Sequence, residues 1–203
     1  MIMNKLAQFI SVIAHPRFLP TWMFLILVSS GLCNIYNTST TIVFSTIFVT
    51  TFVIPMIFMF ILKKVGVIKS ITMERREDRF IPLIIMVIFL YTTQTLFRDV
   101  TALGFFNFFI VCNIILCSIV FWINIYWKIS LHAIGCGSLV SIIFILTSIS
   151  VEIFLPYLFA AIIISGVVGS ARLYLKSHSA SQVYAGFAVG FILTIVLSLI
   201  VSF

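Results

Sequence analysis

Charged residues are scarce in this 203-residue sequence, where Asp, Glu, Lys and Arg together make up 8% of the chain. A water-soluble domain has roughly 25% charged residues and about 45–50% apolar ones. Here 63% of the residues are hydrophobic, and the mean hydropathy is +1.30. These values exclude an ordinary soluble globular domain. They predict one integral membrane domain over residues 1–203, since the length suits a single domain.

Cysteine is also rare, and its spacing excludes a disulfide framework. The cysteines lie in or beside apolar segments, and none forms a Cys-x-x-Cys pair or neighbours a cluster of histidines and carboxylates. We therefore expect them to be thiols that pack between helices. They are Cys33, Cys112, Cys117 and Cys136.

Long apolar segments are what the sequence has instead. Seven of them have lengths of about 17 to 24 residues, enough for a helix to cross about 30 Å of hydrocarbon. The sequence therefore predicts an all-α, polytopic bundle of about six to seven transmembrane helices. The segments are 18–35, 40–62, 81–97, 104–127, 132–151, 153–169 and 181–202.

The connections and ends of these segments carry further predictions. Only Glu152 separates the fifth segment from the sixth, which predicts a tight helical hairpin there. Residues 5–17 precede the first segment and are predicted to form a short helix at the membrane interface. In the last segment, Gly186-x-x-x-Gly190 is a small-residue pattern that predicts close packing against a neighbouring helix.

The one extended polar stretch runs from residue 63 to residue 79 and reads KKVGVIKSITMERREDR. It holds six of the twelve basic residues and three of the five acidic ones. The stretch is either a solvated loop that fixes the membrane topology or a segment whose arginines bind phosphate. The sequence leaves both interpretations open.

The basic residues are distributed unequally between the two faces that seven spans would create. Eleven of the twelve fall on the face that carries the N-terminus and the 63–79 stretch, whereas Arg98 alone falls on the other. The positive-inside rule then predicts that the basic face is cytoplasmic. We expect the protein in the bacterial cytoplasmic membrane. Because these cations flank membrane spans, nucleic-acid binding is not expected.

Two short segments on the basic face combine histidine with polar residues at helical spacing. Lys128 and His132 are four residues apart, so a helix that starts here would carry both on one face. His178 and Gln182 have the same spacing at the start of the last apolar segment. The Gln182 amide can then hydrogen-bond one ring nitrogen of His178, which would fix the tautomer and leave the other nitrogen able to react.

Two histidines with several cations and no cluster of carboxylates suit phosphate chemistry better than metal binding, so neither a metal nor another cofactor is expected. One imidazole can attack phosphorus to form a covalent phosphohistidine, while the other protonates the leaving oxygen. Cationic side chains hold the charge that develops on the phosphoryl oxygens. Arg172 lies before the last segment, and its planar guanidinium matches those oxygens.

At these residues the sequence resembles the type 2 phosphatidic acid phosphatase superfamily, the lipid phosphate phosphatases. That family has three motifs: Lys-x6-Arg-Pro, Pro-Ser-Gly-His and Ser-Arg-x5-His-x3-Asp. The third motif is matched in every spacing by Arg172, His178 and Gln182. The second is matched in part by Ser130 and His132, within Ile-Ser-Leu-His.

The first motif is matched more loosely. Lys69 and Arg76 keep its spacing, but Glu77 stands where the family has proline. Alternatively, Arg79 is the family arginine, and Pro82 is the displaced proline.

The resemblance covers residues 63–190, leaves the first two apolar segments outside, and implies roles for the matched residues. His178 would be the nucleophile, and His132 would be the general acid. The phosphate-binding residues would be Ser130, Arg172, Arg79 and either Lys69 or Arg76. Lys128 is not a position of the family motifs, and we expect it to add positive potential beside His132.

The implied reaction is hydrolysis of a phosphomonoester or pyrophosphate on a lipid in the bilayer, namely a phosphatidate, a prenyl diphosphate or a phosphorylated glycolipid. Two departures leave an alternative open. Gln182 replaces the family aspartate and can orient an imidazole without neutralising its charge, and Leu131 replaces a glycine. The alternative is a catalytically lapsed protein that binds or translocates phosphorylated lipids. The third histidine, His15, is interpreted as a polar residue at the start of the first span, and the oligomeric state stays open.

Overall fold

The chain is mainly helical in the part that the computed structural model describes. The described residues are 2–33, 35, 37–71, 73 and 75–200. They form nine α-helices and no strand, which confirms the predicted all-α class. The helices are α1 (Ile2–Ile13), α2 (Leu19–Ser29), α3 (Asn37–Phe48), α4 (Ile54–Lys64), α5 (Phe80–Phe97), α6 (Gly104–Tyr126), α7 (Leu131–Thr147), α8 (Val151–Tyr174) and α9 (Ala180–Ile200).

Six helical stretches among the described residues are long and apolar enough to cross a membrane. They are Met3–Ser29, Ser39–Lys64, Glu77–Phe97, Thr101–Tyr126, Val151–Tyr174 and Ala180–Ile200. α7 is a shorter apolar helix of 17 residues. The chain is therefore a polytopic integral membrane protein, and these stretches together with α7 correspond to the seven apolar segments of the sequence.

The helix boundaries differ from the apolar segments where proline or polar residues intervene. The helix predicted over 5–17 is α1, which ends at Ile13, and a separate 3-10 turn begins at Pro16. Proline suits the first position of a helical turn because its missing N–H would have no partner there. α8 continues past residue 169, so Arg172 lies in its last turn and not in a loop. A cation is favourable there because the helix C-terminus carries partial negative charge.

α7 and α8 form the predicted hairpin, because they pack against each other and are joined by residues 148–150 alone. Glu152 does not separate the two helices as the sequence suggested. It lies in the first turn of α8, where a carboxylate interacts favourably with the positive end of the helix dipole.

The chain folds as two compact bodies. The first body combines the N-terminal segment up to Leu19 with the chain from Ile129 onward, so it contains α1, α7, α8 and α9. The second body runs from Pro20 to Lys128 and contains α3 to α6 with nearly all of α2. The boundaries of the two bodies do not coincide with the polar stretch at 63–79, so the sequence did not indicate this division.

α7 is the central helix of the first body, because it packs against both α8 and α9, while α1 packs against α8. Hydrogen bonds set the direction of α9 relative to α7. The Ser130 N–H donates to the Gln182 carbonyl at 3.3 Å, and the Thr194 hydroxyl donates to the Ser138 hydroxyl at 3.1 Å. Because the partners advance together along both helices, α7 and α9 run parallel with their N-terminal ends side by side.

Glycines allow this close approach of α9 to α7. A Cβ atom added at Gly190 would overlap the carbonyl oxygen of Ile134, and one added at Gly186 would lie 2.9 Å from the carbonyl oxygen of Ser130. The packing predicted from Gly186-x-x-x-Gly190 is therefore confirmed. It places the start of α9 directly against the start of α7.

In the second body, α5 packs against α6, and the π-helical turn Val49–Val53 joins α3 to α4. The Thr93 hydroxyl of α5 donates a 2.8 Å hydrogen bond to the hydroxyl of Thr50 in that turn. A longer π-helical turn leaves backbone groups out of the regular pattern, so a side-chain hydrogen bond at this place ties the irregular turn to α5.

The four cysteines are all free thiols. Cys33, Cys112 and Cys136 are buried, and Cys117 is partly buried. Burial raises the pKa of the Cys33 thiol, which lies outside the candidate spans.

Candidate functional site

The start of α9 is built as a capping box around Gln182. The Ser179 hydroxyl accepts from the Gln182 N–H at 3.4 Å, and Oε1 of Gln182 accepts from the Ser179 N–H at 3.2 Å. This reciprocal pair satisfies N–H groups that a helix N-terminus leaves without intrahelical partners. The same Oε1 lies 3.0 Å from Nδ1 of His178, so the hydrogen bond expected from the four-residue spacing is present.

This geometry fixes the tautomer of His178. Because the Ser179 N–H can only donate, the amide atom that faces it is the oxygen of Gln182, and Nδ1 of His178 must carry the proton that this oxygen accepts. In the neutral ring, Nε2 then holds the lone pair. The His178 side chain is buried, with 7% of the residue exposed, so the ring is largely removed from water.

His132 lies in the first turn of α7 and binds α1. Its Nε2 donates a 3.0 Å hydrogen bond to the backbone carbonyl oxygen of Ser11. Ser11 lies in the last turn of α1, where carbonyl groups have no intrahelical partner. With Nε2–H engaged, the proton that His132 can give to a substrate is the one that Nδ1 carries when the ring is protonated.

Ser130 is fully buried and forms the N-cap of α7. Its hydroxyl accepts from the Ala133 N–H at 3.4 Å, and its own N–H donates to the Gln182 carbonyl. Both groups therefore serve the junction between α7 and α9. The predicted binding of phosphate by Ser130 stays a prediction.

His15 packs against His132, which the sequence did not indicate. The two ring centroids are 5.1 Å apart, and the ring planes meet at 76°. His15 caps the 3-10 turn that starts at Pro16, since its Nδ1 accepts from the Arg17 N–H at 3.3 Å. Nδ1 therefore holds the lone pair, and Nε2 carries the proton in the neutral ring. Arg17 itself is buried, with 4% of the residue exposed.

Arg172 joins these residues from the last turn of α8. Arg17, His132 and Arg172 all lie within electrostatic range of the His15 ring. The Nε atom of Arg172 is buried and has no hydrogen-bond partner among the described residues. A buried donor without an acceptor destabilises a folded protein, so this N–H is a candidate for binding a ligand.

This end of the first body is rich in cations, and the body contains a single carboxylate. Only Glu152 is acidic in its sequence, and Glu152 and Arg172 lie at opposite ends of α8. They are twenty positions apart, which corresponds to about 30 Å of helix. Arg17 and Arg172 bring two fixed positive charges to this end, and clustered positive charge attracts anions. We call these residues the cationic cluster: His15, Arg17, His132 and Arg172.

Two of the other predicted phosphate ligands lie in the second body, where their side chains hold backbone groups. Nη1 of Arg76 donates to the carbonyl oxygen of Tyr126, the last residue of α6, at 3.1 Å. Nε of Arg79 donates to the carbonyl oxygen of Met73 at 3.2 Å, and Arg79 is buried. These contacts fold the polar stretch back on itself and onto the end of α6.

Lys69 and Lys128 also belong to the second body. The Lys69 N–H donates to Oδ1 of Asp78 at 3.3 Å, and Lys128 follows the end of α6 and is partly buried. The residues predicted to form one site are thus divided between the two bodies. Phosphate binding by the residues of the second body stays a prediction.

His15 and Arg17 are the members of the cationic cluster that sequence reasoning missed. The chain has three histidines, and one of them precedes Pro16 and Arg17 within the first candidate span, Met3–Ser29. Charged residues inside a membrane span are costly and usually functional. The position of His15 and Arg17 within a candidate membrane span is the sequence feature that could have identified them as site residues.

Comparison with known proteins identifies no family. No protein-family model matches the sequence, and no curated protein or solved structure matches it significantly. The resemblance to the lipid phosphate phosphatases therefore rests on motif spacing alone. Among the described residues, no three His, Cys, Asp or Glu side chains are grouped closely enough to hold a metal ion.

Proposed function

We propose that this chain is a metal-independent membrane lipid phosphatase that hydrolyses a phosphomonoester or pyrophosphate of a lipid through a phosphohistidine at His178. The observation that carries the proposal is the meeting, at one end of the first body, of an oriented histidine and a buried arginine donor. Gln182 fixes the ring of His178, and Arg172 offers a buried N–H without a partner among the described residues. The substrate is a phosphatidate, a prenyl diphosphate or a phosphorylated glycolipid.

In the first chemical step, the lone pair on Nε2 of His178 attacks phosphorus, and an N–P bond forms. The bond between phosphorus and the leaving oxygen breaks, and that oxygen keeps the electron pair. Protonated His132 supplies the proton that the leaving oxygen takes. Nδ1–H of His178 stays hydrogen-bonded to Gln182, which holds the ring in line with the phosphoryl group.

In the second step, water attacks the phosphoryl group, and the N–P bond breaks with its electron pair returning to Nε2 of His178. Neutral His132 accepts a proton from the attacking water, so it is again protonated at the end of the cycle. One water is consumed, and inorganic phosphate leaves. Arg172 holds the phosphoryl oxygens in both steps, because its fixed charge stabilises the negative charge that develops on them.

A second candidate function, a protein that binds or translocates phosphorylated lipids without hydrolysing them, is favoured by one specific observation. Nε2–H of His132 is bonded to the backbone of Ser11, which gives His132 a role in joining α1 to α7. Gln182 also lacks the charge that would stabilise a cationic His178. This candidate predicts the same affinity for lipid phosphates but no release of phosphate.

The deciding experiment offers the purified full-length chain a panel of lipid phosphates in the presence of a metal chelator. We expect phosphate release by the wild type and none above background with His178→Ala. Tyr184→Phe, at an exposed position of α9, is the control and should retain wild-type turnover. A radiolabelled substrate should leave a label on the wild type that is stable in alkali and lost in acid, as expected for phosphohistidine.

Either of two results would exclude the phosphatase. Undiminished phosphate release by His178→Ala would exclude the mechanism. Tight binding of lipid phosphates with no turnover by the wild type would instead support the binding or translocating protein.

A further inference from the structure

The N-terminal segment contributes two polar groups to the cationic cluster. Nδ1 of His15 accepts from the Arg17 N–H, so Nε2 carries the proton and can donate it. The Ser11 hydroxyl is buried and has no partner among the described residues. Nε of Arg172 is likewise buried and has no hydrogen-bond partner among the described residues.

These donors lie around one place in the first body. His15 is packed edge-to-face on His132, and Ser11 is hydrogen-bonded to His132 through its carbonyl group. Arg172 lies in the last turn of α8, the helix against which α1 packs. Native proteins pair nearly all of their buried polar groups. The Ser11 hydroxyl and the Arg172 Nε–H are two such groups without partners beside the donor at Nε2 of His15, and they point to an acceptor that the described residues do not supply.

We propose that Nε2–H of His15 and Nε–H of Arg172 bind the same phosphate group of the substrate, so that the end of α1 and the following 3-10 turn form part of the site. The inference deepens the proposed function and rests on it for the identity of the ligand as a lipid phosphate. Arg17 serves the site through its backbone N–H, which sets the tautomer of His15, and through its buried positive charge. The phosphatase motifs lie between residues 63 and 190 and do not include this segment.

A pair of substitutions separates the donor at Nε2 from the cap at Nδ1. In His15→Asn, the amide oxygen takes the place of Nδ1 and can accept from the Arg17 N–H, since asparagine is a favoured cap, but the donor at Nε2 is lost. In His15→Gln, the amide nitrogen takes the place of Nε2 and the cap is lost. Lys5→Gln removes a charge from the exposed face of α1 and controls for general attraction to anions.

The measurement is calorimetric binding of short-chain phosphatidate to the full-length chain, in a His178→Ala background that prevents turnover. We expect His15→Asn to weaken binding by about tenfold or more, as for a hydrogen bond to a charged group, with unchanged thermal stability. His15→Gln should bind within about threefold of the background protein, since the donor is kept. Lys5→Gln should bind as the background protein does.

An affinity of His15→Asn equal to that of the His178→Ala background protein would overturn the proposal. A measurement without substitutions also tests it: phosphatidate should protect His15 from carbethoxylation by diethyl pyrocarbonate, read by mass spectrometry, and unchanged labelling would refute it. The proposed phosphatase activity and the proposed binding of phosphate by His15 can be contradicted separately. Binding that depends on His15 without any wild-type turnover removes the phosphatase and keeps the site, whereas turnover with no dependence on His15 removes only this inference.

Discussion

At the scale of single residues, Gln182 does two things at once. Its Oε1 accepts from the Ser179 N–H as part of the capping box and from Nδ1 of His178. Glutamine and glutamate are the residues that capping boxes use at this position. The capping box therefore supplies a structural reason for the amide of Gln182, which stands where the motif of the lipid phosphate phosphatases has aspartate.

Substitutions at Gln182 should separate these two roles. Gln182→Glu keeps both hydrogen bonds and adds a charge that stabilises a cationic His178, so we expect kcat to be retained or increased. Gln182→Leu loses both bonds, and we expect kcat to fall at least about tenfold while stability falls by about 1 kcal/mol, the usual cost of a lost cap.

Ser179→Ala is the matched control for Gln182→Leu. It removes the Ser179 hydroxyl from the capping box but leaves the Gln182 side chain on His178. Thermal unfolding should show a comparable loss of stability, while kcat stays near the wild-type value. An equal loss of kcat in Ser179→Ala would show that the cap alone determines activity.

The residue scale also shows what the sequence could and could not predict. The bond between His178 and Gln182 was predictable because four residues make one helical turn. The contact between His15 and His132 was not, because these residues are far apart in sequence and only tertiary packing brings their rings together. The tautomer of His132 was likewise unpredictable, because the Ser11 carbonyl that sets it is 121 residues away in sequence.

At the scale of helices, the pairing of α7 with α9 depends on glycine. A side chain at Gly137 would overlap the carbonyl oxygen of Phe187, as one at Gly190 would overlap that of Ile134. The pattern of small residues was visible in the sequence, but the partner helix was not. The parallel direction of the pair is what brings His132 and the start of α9 to the same end.

Gly190→Ala should therefore separate α9 from α7. We expect a loss of stability of about 1–3 kcal/mol, as for overpacking of a close contact, together with a loss of activity, because the site depends on this pairing. Gly166→Ala in α8 is the control, since nothing lies within 4 Å of a Cβ atom there. It should leave the unfolding temperature unchanged or raise it. Equal effects of the two substitutions would contradict the close packing of α9 on α7 at Gly190.

The irregular turn between α3 and α4 should depend on its hydrogen bond to α5. Thr93→Val removes the buried bond to Thr50, and we expect a loss of about 0.6–1 kcal/mol, the usual value between helices in a membrane. Thr92→Val is the control, because the exposed Thr92 hydroxyl bonds only the Ile88 carbonyl of its own helix. The test is thermal unfolding of both variants in the same detergent. Identical unfolding curves would contradict a stabilising role for the hydrogen bond between Thr93 and Thr50.

At the scale of the whole molecule, α7 determines the number of membrane crossings. Its 17 residues extend about 26 Å at 1.5 Å per residue, somewhat less than the usual hydrocarbon thickness. It is nevertheless packed against both α8 and α9, which are long enough to span. Short spans are accommodated by local thinning of the bilayer, and we therefore expect α7 to cross and the chain to have seven spans.

Cysteine labelling tests this topology through four of the connections between helices. In a background in which the native cysteines are replaced, Val67→Cys, Asp99→Cys, Ile149→Cys and Ser177→Cys are treated with a membrane-impermeant maleimide. With seven spans, positions 67 and 177 share one face, and positions 99 and 149 share the other. The positive-inside rule makes the first face cytoplasmic, so in intact cells only positions 99 and 149 should react.

Inverted vesicles should give the opposite pattern, which controls for residues that are unreactive for local reasons. If α7 does not cross, position 149 moves to the face of position 67, and position 177 moves to the face of position 99. The same experiment places the start of α9, and with it His178, on one side of the membrane. That side is the one from which a phosphate group would have to reach His178 under the proposed function, because His178 directly follows the labelled position 177.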